Sequence, residues 1–145
     1  MQGHDVTEHH RAMQALHDSE QRYRLLVESA KDYAIVGMDT TGRITSWNVG
    51  AERIIGFSES EVIGQPVGIF FTPEDRAART PEQELGEARA KGRAEDERWH
   101  LRKDGSRFFC AGVTTPLQRG NFHGFAKIAR DQTSRAQQEH RREAA

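Results

Sequence analysis

Few side chains in this chain could do chemistry, and they are scattered. There is one cysteine, Cys110, and seven histidines, with none of the paired spacings that build a zinc or iron–sulfur site. His100 and His123 fall in β-rich runs, where a histidine is ordinarily a surface or hydrogen-bonded residue. His9 and His10 read as solvated helix surface, and His140 sits in a polar tail with no phospho-acceptor context. Glu95, Asp96 and Glu97 are consecutive, so on a strand they point to alternating faces and do not make an acid/base pair. Asp104 belongs to a turn. No Gly-x-Gly-x-x-Gly or Gly-Lys-Ser/Thr loop could cradle phosphate, and neither Gly-x-Ser-x-Gly nor His-Glu-x-x-His is present. The expectation is a protein with no catalytic residues and no metal centre. At 145 residues there is no room for a kinase ATP-binding region beside another domain.

The totals set further bounds. Length predicts one domain, and 35% hydrophobic with 30% charged residues allows one modest core with well-solvated helices. A net charge of −1 and a pI near 6.7 give no bulk field toward nucleic acid or an anionic membrane. No run of 18 apolar residues occurs, and the first residues, MQGHDVTEHH, lack the apolar stretch of a signal peptide. The single cysteine suits a reducing compartment. A soluble, cytoplasmic α+β protein is expected.

The elements that must position these groups are legible from spacing. Residues 95–130 organise the chain. Two β-rich runs, 97–102 and 107–117, flank Lys103-Asp104-Gly105-Ser106, and Asp-Gly between alternating apolar runs is a hairpin signal. A turn at Arg119-Gly120-Asn121 leads to a third run, 122–129. An earlier hairpin is predicted from 32–39, a Thr40-Thr41-Gly42 turn, and 43–47. Asn48 caps a short helix ending at Gly56, and Ser58 with Glu61 opens another as a capping box. Residues 65–71 form an apolar helical turn. Thr72-Pro73 starts a charged helix, whole or broken near Pro81, that reads as a solvated face. In residues 1–30, Val6, Met13, Leu16, Tyr23, Val27 and Ala30 fit a 3-4 spacing, with His9 and Glu20 as polar exceptions. That seam suits either a two-helix coiled coil or one helix lying on its own domain. The order helix, two strands, short helices, three strands, helix implies a five-stranded antiparallel sheet with helices on one face. Residues 31–133 form the core domain, and the tail 134–145 is helical.

The stretches YRLLVESAKDYAIVGMDTTGRITSWN, GAERIIGFSESEVIGQP, FFTPED, ERWHLRKDGSRFF and GFAKIARDQT, in that order, resemble a PAS domain over roughly residues 23–133. The resemblance is to the sensor modules of bacterial histidine kinases. It implies a cleft between sheet and short helices, and flanking helices that pair two subunits and carry a signal to an effector. A homodimer and a kinase or other effector partner are therefore expected, with no catalysis in the domain itself. Asp131 and Thr133 match the family's Asp-apolar-Thr junction with the output helix, with Gln132 in place of the apolar residue.

The resemblance also raises cofactors. A light-oxygen-voltage flavin adduct needs a cysteine in the helical segment, and residues 31–109 contain none. A haem sensor commonly takes an axial histidine from the long helix, and residues 72–92 contain none. Non-covalent flavin, another small molecule or no ligand remain, the alternative function being a stand-alone small-molecule or flavin-binding protein. Trp47, Phe70, Phe71, Trp99, Phe109, Val113 and Phe125 are the candidates to line a cleft, and plain core is the favoured reading of each, since the few placed polar groups of an apolar site are not identified. Alternation puts Trp99 with Leu101, and Phe109 with Ala111 and Val113, on shared faces, with Cys110 turned the other way.

Overall fold

The computed structural model describes the backbone of residues 2–144. The first helix, α1 (Gln2–Ser29), is almost free of glycine and rich in long polar side chains. Met13 and Leu16 of its apolar seam are 59% and 58% exposed, so this part of α1 does not lie on its own domain. The side chains of Val6 and Tyr23, and that of His140 in the tail, lie outside the described residues.

Strand β1 (Ala34–Met38) buries every second residue, Ala34, Val36 and Met38, against the core. Its turn into β2 (Ile44–Trp47) is set by Asp39, whose Oδ1 accepts from the N–H groups of Thr41 at 2.9 Å and Arg43 at 3.0 Å. Asn48 caps α2 (Val49–Ile55) by accepting from the Ala51 N–H at 2.9 Å. The same side chain accepts from the Ile35 N–H and donates to the carbonyls of Val27, Ala30 and Tyr33, tying α1, β1 and α2 at one point. In α3 (Glu59–Val62) the Ser58 N–H donates to Glu61 Oε1 at 2.9 Å. A 3-10 turn at Val67–Phe70 drives Phe70 and Phe71 inward.

The charged helix is indeed two pieces, α4 (Pro73–Ala77) and α5 (Thr80–Lys91). They are separated by Arg79 at φ 60°, the one non-glycine residue with positive φ among those described. Its reading as a solvated face needs correcting: Thr80, Pro81, Glu84, Leu85 and Ala88 are buried, because α5 roofs the sheet. Strands β3 (Ala94–Leu101), β4 (Arg107–Arg119) and β5 (Phe122–Asp131) make the meander, and α6 (Thr133–Ala144) follows. β3 starts earlier than the expected residue 97 because Ala94 pairs with Thr114. The sheet order is β2-β1-β5-β4-β3, antiparallel throughout, with β1 inserted beside β5 through pairs such as Val36 with Lys127. The two β portions thus form one five-stranded sheet, with the short helices packed on one face.

Candidate functional site

Strand alternation decides what faces the helical roof. On β3 it turns Asp96, Arg98 and His100 inward, and Glu95, Glu97 and Trp99 outward. On β4 the inward residues are Phe108, Cys110 and Thr114, and on β5 Phe125, Lys127 and Ala129. The interior of the sheet's meander half is therefore built around charges, which α5 completes with Glu84.

Lys127, the fully buried centre, donates to Glu84 Oε1 at 2.9 Å and pairs closely with Asp96 Oδ2. Glu84 Oε1 also accepts from the Thr114 hydroxyl at 2.6 Å. Asp96 Oδ1 accepts from Arg98 Nε, and Asp96 Oδ2 lies 2.6 Å from His100 Nε2 and 3.7 Å from the Cys110 thiol. The Lys127 ammonium also sits 4.8 Å above the Phe71 ring, a cation–π contact, and Phe71 meets the His100 ring edge-on at 4.4 Å. Two carboxylates face two cations, so the buried charge is balanced. Among the described residues, two buried atoms of the cluster lack a hydrogen-bond partner, His100 Nδ1 and Glu84 Oε2. Arg98 stands 4.0 Å from the latter.

The protonation states follow from these contacts. Burial works against the Asp96 carboxylate, but Lys127 and His100 outweigh it and hold its pKa below the usual value. Burial also works against the Lys127 ammonium, and Asp96 with Glu84 overcomes it, so its pKa is raised and it stays charged. Burial pushes His100 down, favouring neutral imidazole. Facing an ionised carboxylate, which can only accept, Nε2 carries the proton and Nδ1 is bare. Burial pushes the Cys110 thiol up, away from the thiolate a nucleophile needs. The cluster joins α5 to β3 and β5 through ionic contacts and to β4 through the Thr114 hydroxyl.

The residues expected to line a cleft divide between the two faces. Trp47, Phe70, Phe71 and Phe125 are buried in the interior. Trp99, Phe109 and Val113 are not: Trp99 is 38% exposed and stacks edge-on with Phe109 at 5.4 Å on the outer face. The correction is one of parity, since these residues alternate with Asp96, His100 and Cys110, which take the inside. The interior cavity measures only about 10 Å³ and is lined by Val36, Ile55, Phe70, His100, Cys110 and Lys127 among others. That is room for one water-sized sphere, whereas sites for bulky ligands run to hundreds of Å³. As packed, the interior does not fit a flavin or a haem.

Asp131 and Thr133 meet at the exit of the sheet. Asp131 Oδ1 accepts from the Thr133 N–H at 2.9 Å and from its hydroxyl, whose oxygen accepts from the Phe109 N–H at 2.9 Å. Arg102 donates to Asp131 Oδ2 at 3.0 Å. The Gln132 N–H donates to the Phe109 carbonyl at 2.7 Å, so the backbone here extends the β4–β5 ladder whatever side chain stands at that position.

Glu84, Asp96, His100 and Lys127 were missed as a group in the sequence. The available signals were polar residues at every second position of β3 and a lone lysine inside the apolar run Gly124–Ala129.

Comparisons with known proteins complete the description. The family model for the PAS domain matches residues 32–134. Two-component system protein A of Emericella nidulans is 42% identical over 118 residues, covering 81% of this chain and 17% of that protein. The signal transduction histidine-protein kinase AtoS of Escherichia coli is 34% identical over 58 residues, covering 40% of this chain and 9% of that protein. The chain thus spans a small part of the length of these curated relatives. Among solved structures, the PAS domain of a Colwellia psychrerythraea protein aligns with TM-score 0.70 at 29% identity, over 79% of this chain and 98% of that one. The PAS domain of an HTR-like protein from Haloarcula marismortui aligns with TM-score 0.68 at 25% identity, over 83% and 98%. An RNA-binding light-oxygen-voltage receptor, at 21% identity and TM-score 0.67, shares the fold alone over 83% of this chain and 35% of that one.

Proposed function

This chain belongs to the PAS domain family, and from that premise we propose that it is a sensory and regulatory module of two-component signalling. It relays a ligand or contact signal through its flanking helices to an effector such as a histidine kinase, and α1 pairs two copies. The domain itself performs no chemistry, and the cytoplasm is the compartment this reading assigns. The likeness to two relatives, a two-component system protein and a histidine kinase, supports the signalling role. No helix among the described residues is long and apolar enough to cross a membrane.

The observation that carries the relay is the β5–α6 junction. Thr133 opens α6 while its hydroxyl oxygen is bonded to the Phe109 amide of β4, and Asp131 is bonded to Arg102 at the β3–β4 hairpin. A shift of the meander therefore moves the first turn of α6. Amide hydrogen exchange tests this. Asp131→Ala speeds exchange throughout α6 and at Phe109; unchanged protection in α6 refutes the relay.

The pairing rests on the exposed Met13 and Leu16 of α1. In sedimentation, residues 1–145 run as a dimer and a chain beginning at Tyr23 as a monomer. Monomers in both cases remove the pairing. The input is a contact or a small ligand rather than flavin or haem, a reading supported by the cavity of about 10 Å³. A visible absorption band in freshly purified protein overturns it.

A further inference from the structure

We propose that the groove between the β1–β2 turn, the 3-10 turn and the helices α4 and α5 binds a small zwitterion, an α-amino acid with an apolar side chain. The inference rests on the signalling reading only in taking that molecule as the input. The groove measures about 290 Å³, at the lower end of small-molecule sites, which run from about 300 to 1,000 Å³. It shares no lining residue with the interior cavity. Its walls are mostly apolar: Val67, Pro81 and Leu85 are buried, and Ile69 is half-buried. Two exposed charges border it, Arg76 of α4 and Glu82 of α5. Among the described residues, neither side chain has a hydrogen-bond or ion-pair partner.

The chain brings these two charges together by an uncommon route. On an unbroken helix, positions six apart lie about 240° round the axis and face away from each other. Arg79 stands between them with a left-handed backbone at φ 60° and divides α4 from α5, so both charges border one groove. An arginine gains nothing from that conformation, and backbone held against its preference clusters where a site needs it. Gly68 keeps the space beside Arg76 open. A Cβ there would lie 3.7 Å from Arg76 Cγ and Pro81 Cγ, at ordinary contact distance, so a larger side chain would fill space that the glycine leaves free.

The opposite charges select the ligand. A lone anion is repelled by Glu82 and a lone cation by Arg76. A sugar would set its hydroxyls against apolar walls. An α-amino acid answers both charges: its carboxylate accepts from the Arg76 guanidinium, its ammonium donates to Glu82, and its apolar side chain covers Val67, Ile69 and Leu85.

Calorimetric titration of the intact chain with L-leucine tests this. The controls are isovalerate, which lacks the ammonium, and isopentylamine, which lacks the carboxylate. The expected result is one leucine per chain with a Kd of about 1 mM or tighter, and both controls weaker by about tenfold or more. Arg76 and Glu82 are exposed, so Arg76→Met and Glu82→Gln keep the fold, and each lowers the leucine affinity by a similar factor. Gly68→Val, whose side chain fills the groove, abolishes binding. A wild-type protein that gives neither heat nor a rise in unfolding temperature with leucine overturns the proposal. Either control binding as tightly as leucine also overturns it, because one charge is then enough. So does leucine binding that survives both Arg76→Met and Glu82→Gln, since the ligand then lies elsewhere. None of these results alters hydrogen exchange in α6 of the ligand-free chain, so failure of this inference and failure of the relay are told apart.

Discussion

Lys127→Met is the sharpest probe of how this interior is held together. Methionine is unbranched and close in length to lysine, so the substitution removes charge while leaving little void. In the wild-type protein the ammonium lies between Glu84 and Asp96, whose side chains are 4% and 0% exposed. Removing one partner of a buried ion pair costs about 3–5 kcal/mol, because the remaining charges are left uncompensated. For a domain of this size that corresponds to a fall in Tm of roughly 6–20 °C. The assay is urea unfolding followed by circular dichroism at neutral pH, then repeated at mildly acidic pH. Without the ammonium, Asp96 loses the largest of the contacts that hold its carboxylate ionised against burial, so its folded pKa rises. The folded variant then binds protons the wild type does not, and the penalty shrinks as pH falls. Adding Glu84→Gln to Lys127→Met recovers part of the loss, with a coupling of about 1 kcal/mol or more. A loss below about 1 kcal/mol, or a penalty independent of pH, would refute the reasoning.

Other perturbations read other parts of the fold. Burial lowers the His100 pKa from 6.5, so as pH drops through that value the unfolded chain takes up a proton that the folded one refuses. Stability then declines on acidification by at most about 1.4 kcal/mol per pH unit from this group, and His100→Gln flattens that slope in urea midpoints. A Cβ on Gly50 would lie 1.8 Å from the Tyr33 carbonyl oxygen, backbone that cannot give way, so Gly50→Ala costs about 1–3 kcal/mol or more in thermal melts. Gly86, inside α5 with nothing within 4 Å of its Cβ position, is the contrast; Gly86→Ala stabilises by about 0.5–1 kcal/mol. With Trp99 at 38% and Trp47 at 5% exposure, iodide quenches the fluorescence of Trp47→Phe strongly and that of Trp99→Phe weakly.

The architecture was readable in the sequence because its punctuation is local. Asp104-Gly105, Asn48, Thr72-Pro73 and Gly92 each act through a hydrogen bond or a backbone angle within a few residues, and each is found at a turn or helix end. The break at Arg79 was less legible. Nothing in Arg79 itself favours a left-handed backbone, so the packing of α4 against α5 imposes it.

The interior was misread for a different reason. Alternation states which residues share a face of a strand, and it grouped Trp99 and Phe109 apart from Cys110 correctly. It does not state which face is covered. Assigning the apolar set to the inside assumes that burial follows hydrophobicity, and along β3 from Asp96 to His100 the reverse holds. Asp96 and His100 are 0% exposed while Trp99 is 38% exposed. Such an inversion is stable only if the buried charges arrive already paired. The pairs come from residues distant in sequence, Glu84 on α5 and Lys127 on β5, which no window along the chain brings together. The same argument explains the outer face. A sheet that spends inward positions on a charge network turns Trp99, Phe109, Val113 and Ile128 to its outer face, where Trp99 and Ile128 are exposed and available to whatever the exposed seam of α1 brings alongside.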